Sequence, residues 1–406
     1  MKAGYLSEFF SGVAIKRLSA VEADVARSHQ HEFNGDRGLK KLFGPKRQEF
    51  QGLFIYLSDN DEEPIVADGP LTWYDAREHH PKRSEHRLYF PTTPVSLCAA
   101  EGDLLVIGKR PDDSVLVLIV QGDSTVANQV LWLFNVELVG TPGFSAREEL
   151  ETEQDRIGFA TRFILEQIGV SVETTEDTFL DQILATFGSR FPPTKEFSAF
   201  ARSTLSGIDA IRHPDAAIMA WMEREEILFR TLEKNIIAER LTQGFENDVD
   251  GFLTFSLSVQ NRRKSRVGYA LENQLEVIFT EVGIRYERAA ISEGRNKPDF
   301  LFPGSREYST PEFNPVFLTM LGVKSTCKDR WRQVLAEAKR IERKHLLTLE
   351  TAISQHQTDQ MQDEKLQLVV PKALHRTYTA QQQTWLLDVA GFTEVVKDRQ
   401  ARVGAA

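Results

Sequence analysis

Three residues between positions 299 and 337 have the types and the spacing to hold a divalent cation against a phosphate. Asp299 heads the apolar run Phe300-Leu301-Phe302. Lys324 closes a second apolar run, Leu318–Val323, and Glu337 lies thirteen positions further on. Two neighbouring strands can bring Asp299 and Lys324 to one end of a sheet. A helix beginning near Asp329 and carrying Glu337 can return that side chain to the same place. Two carboxylates suit Mg²⁺, which takes oxygen ligands and keeps several waters. The metal polarises a phosphodiester and lowers the pKa of a bound water. A lysine beside it orients or activates that water and offsets charge developing on phosphorus. Each residue alone has an ordinary explanation: a capping Asp, a solvated lysine at a strand end, a surface glutamate. Their order and spacing carry the reading.

The elements that must position them belong to the second half of the chain. From Asp181 onward helical patterns dominate. Ala220–Leu241 places Ile227, Leu228, Leu232, Ile236 and Ile237 among charges, and Tyr269–Val282 places Leu271, Leu275, Ile278 and Phe279 on one side. Strands are expected at Ile284–Glu287, Asp299–Phe302, Phe317–Val323 and Leu366–Val370, which makes this half α/β or α+β. The Gln-rich stretch Gln355–Gln362 is expected as a solvated loop or helix face.

The first third differs. Short apolar runs at Leu53–Leu57, His86–Phe90, Asp103–Gly108, Ser114–Val120 and Val130–Phe134 alternate with turn-forming residues such as Asp59-Asn60-Asp61 and Pro111-Asp112-Asp113. Strands at that spacing predict a barrel or sandwich. Thr141-Pro142-Gly143 is a breaker, and charged, helical-looking sequence follows it. The expected organisation is therefore two-domain: residues 1–145, a linker region at 146–180, and residues 181–406.

Composition narrows the function classes. The chain has 406 residues, 41% of them hydrophobic, more than one core usually holds. No run of ~18 apolar residues is present, so no transmembrane helix is expected. Met1–Gly12 lacks a long apolar core and does not read as a signal peptide. Cys98 and Cys327 are the two cysteines. They do not make a disulfide framework, and a cytoplasmic location is the expectation. Cys327 has no histidine base nearby in sequence and is expected to be packed. The His79-His80 pair lacks the four ligands of a structural zinc site. A net charge of −10 argues against a generic nucleic-acid binder. A site-specific enzyme can still concentrate its basic residues locally while keeping nonspecific phosphate attraction low.

Two such concentrations exist. Ser325-Thr326-Cys327-Lys328-Asp329-Arg330-Trp331 places charges at a predicted helix start. Lys and Arg donate to guanine O6 and N7 and Asp accepts from cytosine N4, so the cluster suits G·C pairs; a capping Asp with flanking surface charges is the plainer alternative. Asn261-Arg262-Arg263-Lys264-Ser265-Arg266 is the second, suited to phosphate or base contact or simply to a solvated face.

The constellation resembles the PD-(D/E)xK nuclease superfamily in a variant form. The usual pattern puts the second acid two residues before the lysine, where this chain has Gly322. One restriction-enzyme branch moves that acid to the following helix, where Glu337 stands. Longer segments are similar to the EcoRII family of type II restriction endonucleases: Ser256–Arg266, Ile291–Pro303, Val323–Gln333 and Leu368-Val369-Val370-Pro371, together spanning most of residues 245–376. The resemblance implies an α/β restriction-endonuclease-like domain with Asp299, Lys324, Glu337 and Glu272 as catalytic residues and Mg²⁺ on Asp299 and Glu337. Glu276, one turn beyond Glu272, is an equal candidate from the pattern alone. It further implies that Lys328, Asp329 and Arg330 read a CC/GG core, with Arg262, Arg263, Lys264 and Arg266 contacting DNA.

The same family carries an N-terminal DNA-binding β-barrel of the B3 type (a pseudobarrel) that binds a second copy of the site and restrains the catalytic domain, the type IIE arrangement. Similarity here is thinner: Ile15–Ala20 and Tyr74–Arg87, with Arg77, Arg83, Glu85 and Arg87 in a basic loop, while Arg27–Gln51 departs from the pattern. The expectation is a Mg²⁺-dependent enzyme cutting both strands of double-stranded DNA at a short palindrome. A homodimer follows from two-fold site symmetry, with Ala220–Leu241 as one place for its interface. A cognate DNA methyltransferase is implied functionally. A single-strand-nicking repair nuclease and a non-cleaving DNA-binding regulator are the alternatives.

Overall fold

The computed structural model describes all residues except 1, 3, 24–30, 60–63, 81, 139–142, 171, 173–178, 294–295, 328–329 and 404–406. The chain divides into two compact units. One comprises Met1–Val172 with Thr351–Gln355 and Arg376–Ala380; the other comprises Glu173–Glu350, His356–His375 and Gln381–Ala406.

The first unit is built on β1 (Gly12–Arg17), β2 (Glu32–Gly35), β3 (Gln48–Leu57), β4 (Ile65–Asp75), β5 (His86–Tyr89), β6 (Leu104–Lys109), β7 (Val115–Val120) and β8 (Ser145–Arg147). They form one sheet in the order β2-β5-β4-β3-β7-β6-β1-β8. Only β3 and β7 pair in parallel. Its middle strand explains its two-sided core. In Val115-Leu116-Val117-Leu118-Ile119-Val120, Leu116, Leu118 and Val120 enter one hydrophobic cluster and Val115, Val117 and Ile119 enter the other. A strand buried on both faces reads as a continuous apolar run because successive side chains alternate sides. Burying each such side chain is worth about 1.5–3 kcal/mol, so the centre of the sheet, not its hairpin tips, holds the unit together. Phe33 and Leu88 from one end of the strand order share a cluster with Ala14 from the other, so the sheet curls around that core. It stays open, with β2 and β8 as edges.

Two expectations change here. Val130–Phe134 is not a strand but the end of the helix Thr125–Leu133 with its C-cap Phe134. Ser124 accepts from the Ala127 amide at its N-terminus, and the five apolar residues go right round the last turn, burying Val130, Leu133 and Phe134 while Leu131 and Trp132 are half-exposed, so the run is too short to show a helical period. Residues 146–172 are folded into this unit rather than linking it: β8 pairs with β1, and Ile164, Leu165 and Ile168 enter the core.

The second unit has a five-stranded sheet in the order β13-β12-β11-β10-β9, from β9 (Glu287–Arg288), β10 (Phe300–Phe302), β11 (Thr319–Lys324), β12 (Lys344–Thr348) and β13 (Leu366–Val369). β11, β12 and β13 are parallel, and β10 runs antiparallel to both β9 and β11. Two long helices, Pro214–Gln243 and Val249–Glu281, pack beside it. Proline at the first turn starts the first helix, and Gly244 in the left-handed region (φ 69°) ends it. Asp248 caps the second by accepting from the Gly251 amide. That helix runs unbroken through 33 residues, so the basic stretch 261–266 does not precede the helix of Glu272 but lies within it. Phe279 from this helix meets Phe300 and Phe302 edge-on, and Phe392 from the helix Val389–Val403 closes the cluster. The Gln-rich segment is a helix, Gln355–Asp363, that buries Gln357, Thr358 and Met361.

Candidate active site

Antiparallel pairing of β10 with β11 sets Phe300 opposite Leu321, and so carries Asp299 to the end of β11 where Lys324 emerges. Asp299 Oδ2 accepts from the Val323 amide at 2.6 Å and from Lys324 Nζ at 3.1 Å. The backbone contact fixes the carboxylate, and the lysine gives it a charged partner on one oxygen. Gly322 stands where the usual pattern has its second acid. A β-carbon there would lie 2.9 Å from Val334 Cγ2. The helix Trp331–Leu335 packs its Val334 onto this bare position, so a side chain and that packing exclude each other.

Glu337 is delivered otherwise than expected. The helix ends at Leu335, and Glu337 sits in the turn beyond it, its amide donating to the Val334 carbonyl, ahead of Ala338 in the left-handed region (φ 47°). Its Oε2 is buried without a hydrogen-bond partner among the described residues. Burial pushes the Glu337 carboxyl up to about 7, Asp299 adds to the rise, and Lys324 and Lys344 oppose it. Glu272 is raised as well, first by burial and then by Asp299, against Arg288 and Lys324. Glu276 lies one turn away, where Lys195 Nζ binds it at 3.0 Å. Of the two candidate helix acids, Glu272 is the one that feels Asp299.

Asp299, Lys324, Glu337 and Glu272 are thus one electrostatically coupled group, in which carboxylates outnumber the cation among them. Two half-buried acids whose pKa values are raised, one with an orphaned oxygen, are what a divalent cation would relieve. Among the described residues no three His, Cys, Asp or Glu side chains form a ready cage.

The predicted DNA-contacting residues divide. Lys328 and Asp329 lie outside the described residues, and Arg330 is exposed beside them. Lys264 is exposed, and Arg262 lies over the Phe191 ring at 4.1 Å. Arg263 binds Glu233 at 2.6 Å. Arg266 is turned inward: it is 8% exposed, donates to the Pro192 carbonyl and sits over Phe197 and Phe229. Cys327 is fully buried, and burial raises its thiol pKa.

In the first unit, Arg77, Arg83, Glu85 and Arg87 are gathered at one hairpin. Ala76–Glu85 connects β4 to β5, closed by the Ala76 amide on the Glu85 carbonyl and by Asp75 accepting from the Arg77 and Glu85 amides. Arg77 and Arg87 both bind Glu85, at 2.5 and 2.7 Å, and Arg87 also binds Glu32 at 2.5 Å. Arg83 is exposed. Sequence reasoning missed Glu32, Lys344 and Arg288, each set in an unpatterned stretch, the last two among other charges; only their neighbours across a strand or helix reveal them.

The model of the EcoRII C-terminal family matches residues 229–393, which include Asp299, Lys324, Glu337 and Glu272. The chain is 39% identical over 206 residues to the type II restriction enzyme EcoRII of Escherichia coli, an alignment covering 50% of each protein. The chain therefore spans about half the length of the curated relative it matches. Solved structures similar to it include metal-depleted Ecl18kI in complex with uncleaved, modified DNA (19% identity, TM-score 0.45, 56% of this chain and 86% of that one). A second is a complex of the restriction endonuclease PspGI with substrate DNA (16% identity, TM-score 0.44, 52% and 94%). The residues that match this family model thus contain the coupled acid–lysine group, while the curled sheet of the first unit lies outside them. No helix among the described residues is long and apolar enough to cross a membrane.

Proposed function

We propose that this chain is a type II restriction endonuclease, a phosphodiester hydrolase that cuts both strands of double-stranded DNA at a short palindrome with a CC/GG core. The observation that carries the reading is the coupling of Asp299, Lys324 and Glu337 within the residues that match the EcoRII C-terminal family model. The orphaned Glu337 Oε2 and the fixed Asp299 fit Mg²⁺ as the cofactor. When bound there, Mg²⁺ supplies Lewis acidity toward the phosphodiester and the attacking water. Lys324 places positive charge beside the reacting phosphorus and holds one Asp299 oxygen. Glu272 adds negative charge on the helix side. Lys328, Asp329 and Arg330 precede the helix Trp331–Leu335 and are suited to reading G·C pairs, and the exposed Lys264 and neighbouring Arg262 to the phosphates. The enzyme acts as a homodimer across a two-fold site, in the cytoplasm, alongside a DNA methyltransferase that protects the host's own sites.

The first unit is assigned, within this proposal, to a second copy of the site, in the manner of a B3-like pseudobarrel. Its support is the hairpin that concentrates Arg77, Arg83, Glu85 and Arg87. Regulation by that second site follows from the same assignment.

Incubating the purified protein with phage DNA, with Mg²⁺ or with EDTA, and sequencing the fragment ends tests the proposal. Discrete Mg²⁺-dependent fragments sharing a CC/GG palindrome are the expected result. Nicked circles without linear product would point to a strand-nicking repair enzyme, and tight binding without cleavage to a regulator.

A further inference from the structure

We propose that Arg288 is the positioning residue of the catalytic group, clamping Glu272 beside Asp299 from the neighbouring strand. The inference rests on the nuclease reading and deepens it. β9 is a two-residue edge strand, and its Arg288 pairs with Phe300, the residue after Asp299. The Ala289 amide donates to the Asp299 carbonyl at 3.0 Å, which locks the lateral register. Arg288 is therefore tied by the backbone to the acid it serves, while its side chain reaches across to the helix Val249–Glu281.

All three guanidinium nitrogens are engaged there. Nε and Nη2 donate to Glu272 Oε2 at 3.1 and 2.8 Å, leaving Oε1 out of the fork. Nη1 donates to Asn273 Oδ1 at 2.7 Å and to Glu276 Oε2 at 3.3 Å. A planar fork with this many contacts fixes orientation as well as charge, which a lysine cannot do. The clamp is itself braced. Asn273 Nδ2 donates to Ser198 Oγ at 3.1 Å, and Ser198 Oγ lies 3.0 Å from Glu225 Oε1. Asn273, Ser198 and Glu225 are all at most 5% exposed. An unbroken line of side chains thus runs from the helical bundle to Glu272.

The need for the clamp follows from charge. Glu272 and Glu276 sit one turn apart on the same helix, both bound by Arg288, and the Asp299 charge acts on Glu272. Without a cation between them the helix carboxylates repel each other, and Glu272 repels Asp299. Arg288 offsets that repulsion by bridging Glu272 and Glu276, and Lys195 supplies a second cation at Glu276.

The test compares the full chain with Arg288→Gln, Arg288→Lys and Ser198→Ala on a plasmid that the parent chain cuts, recording kcat, KM and melting temperature. Arg288→Gln is expected to lower kcat by about 10- to 100-fold, the usual loss for a partner of a site residue, with KM within about twofold of the parent. Arg288→Lys is expected to recover part of that loss by keeping the charge without the fork, and Ser198→Ala to show a smaller fall in kcat. A folded Arg288→Gln with the parent's kcat overturns the inference. So does a loss in KM alone, or an Arg288→Lys no better than Arg288→Gln, since mere packing would behave that way. Should Arg288→Gln fail to fold, Arg288→Lys and Ser198→Ala decide: parent-like kcat in both overturns the clamp. Absence of cutting by the parent chain itself overturns the nuclease reading, and this inference with it; a cutting parent with an indifferent Arg288 overturns this inference alone.

Discussion

The chain holds two dense clusters of charge, and they are balanced differently. At the hairpin of the first unit, two arginines and two carboxylates alternate: Arg77, Glu85, Arg87, Glu32. Glu85 is held below its ordinary pKa, first by its bond to Arg87 and then by Arg77. In the second unit Lys324 binds Asp299, and burial and the Asp299 charge raise Glu272 and Glu337 instead. In the first cluster each carboxylate has an arginine partner, so under the proposed function DNA would compete with internal partners for those arginines. The second leaves Glu337 Oε2 without a partner among the described residues. The pKa displacement has opposite sign in the two clusters because arginine bonds outweigh burial at Glu85, whereas burial and the Asp299 charge outweigh the nearby cations at Glu272 and Glu337.

Breaking the unsatisfied cluster has the largest expected effect. Asp299→Ala is expected to lower cleavage by about 1000-fold or more, a barrier increase of about 4 kcal/mol, while DNA binding in a gel-shift assay persists. Unchanged cleavage would show that the acid–lysine pair is an ordinary strand-end ion pair.

A second test asks whether raised acids in this unit cost stability as their displacement requires. Glu225 lies behind Ser198, and burial pushes its carboxyl up to about 7, with bonds from Ser198 and Gln274 and the charges of Arg266 and Arg202 pulling the other way. Its folded pKa is above its unfolded one, so the folded state binds the extra proton. Its contribution to stability is fully present below about 4.5 and is lost as pH rises through about 7. That loss is roughly 3 kcal/mol from linkage. Glu225→Gln is expected to flatten the fall in melting temperature between pH 5 and pH 8; a slope equal to the parent's would show that Glu225 is not raised.

The third concerns why the acid is at 337 at all. Gly322→Ala is expected to destabilise the chain by about 1–3 kcal/mol in urea unfolding, because Val334 occupies the space a β-carbon needs. A neutral result would mean the helix Trp331–Leu335 yields easily. The smallest effect belongs to the balanced cluster. Glu85→Ala is expected to leave the melting temperature within about 2 °C, since exposed ion pairs contribute little. It should steepen the salt dependence of DNA binding by roughly one unit in log–log slope, by freeing arginine charge for phosphates. An unaltered slope would remove this hairpin from the DNA interface.

Legibility in the sequence followed pattern length. Asp299 and Lys324 were visible because apolar runs adjoin them, and the pairing of β10 with β11 then follows. β12 was not visible. Lys344-His345-Leu346-Leu347-Thr348 is short and begins with two polar residues, yet all five are buried between parallel neighbours. Its context, not its composition, makes it a strand. β4 was hidden by Asp68-Gly69-Pro70, which looks like a turn; in the structure Gly69 and Pro70 simply face Gly52 and Gln51 across the ladder. Arg288 was hidden because its meaning depends on register with Phe300 and on a helix sixteen residues earlier.

The unbroken helix Val249–Glu281 is also a ruler. Lys264 and Glu272 stand on it eight residues apart, an advance of about 12 Å and a rotation that leaves them about 80° out of phase. Those values are set by backbone hydrogen bonds alone, whatever side chains intervene. One residue inserted between Ser265 and Leu271 would turn every later side chain by about 100° relative to the earlier ones. Glu272 would then leave Arg288 with no atom of either residue changed, so the count of residues in this helix carries as much information as their identities.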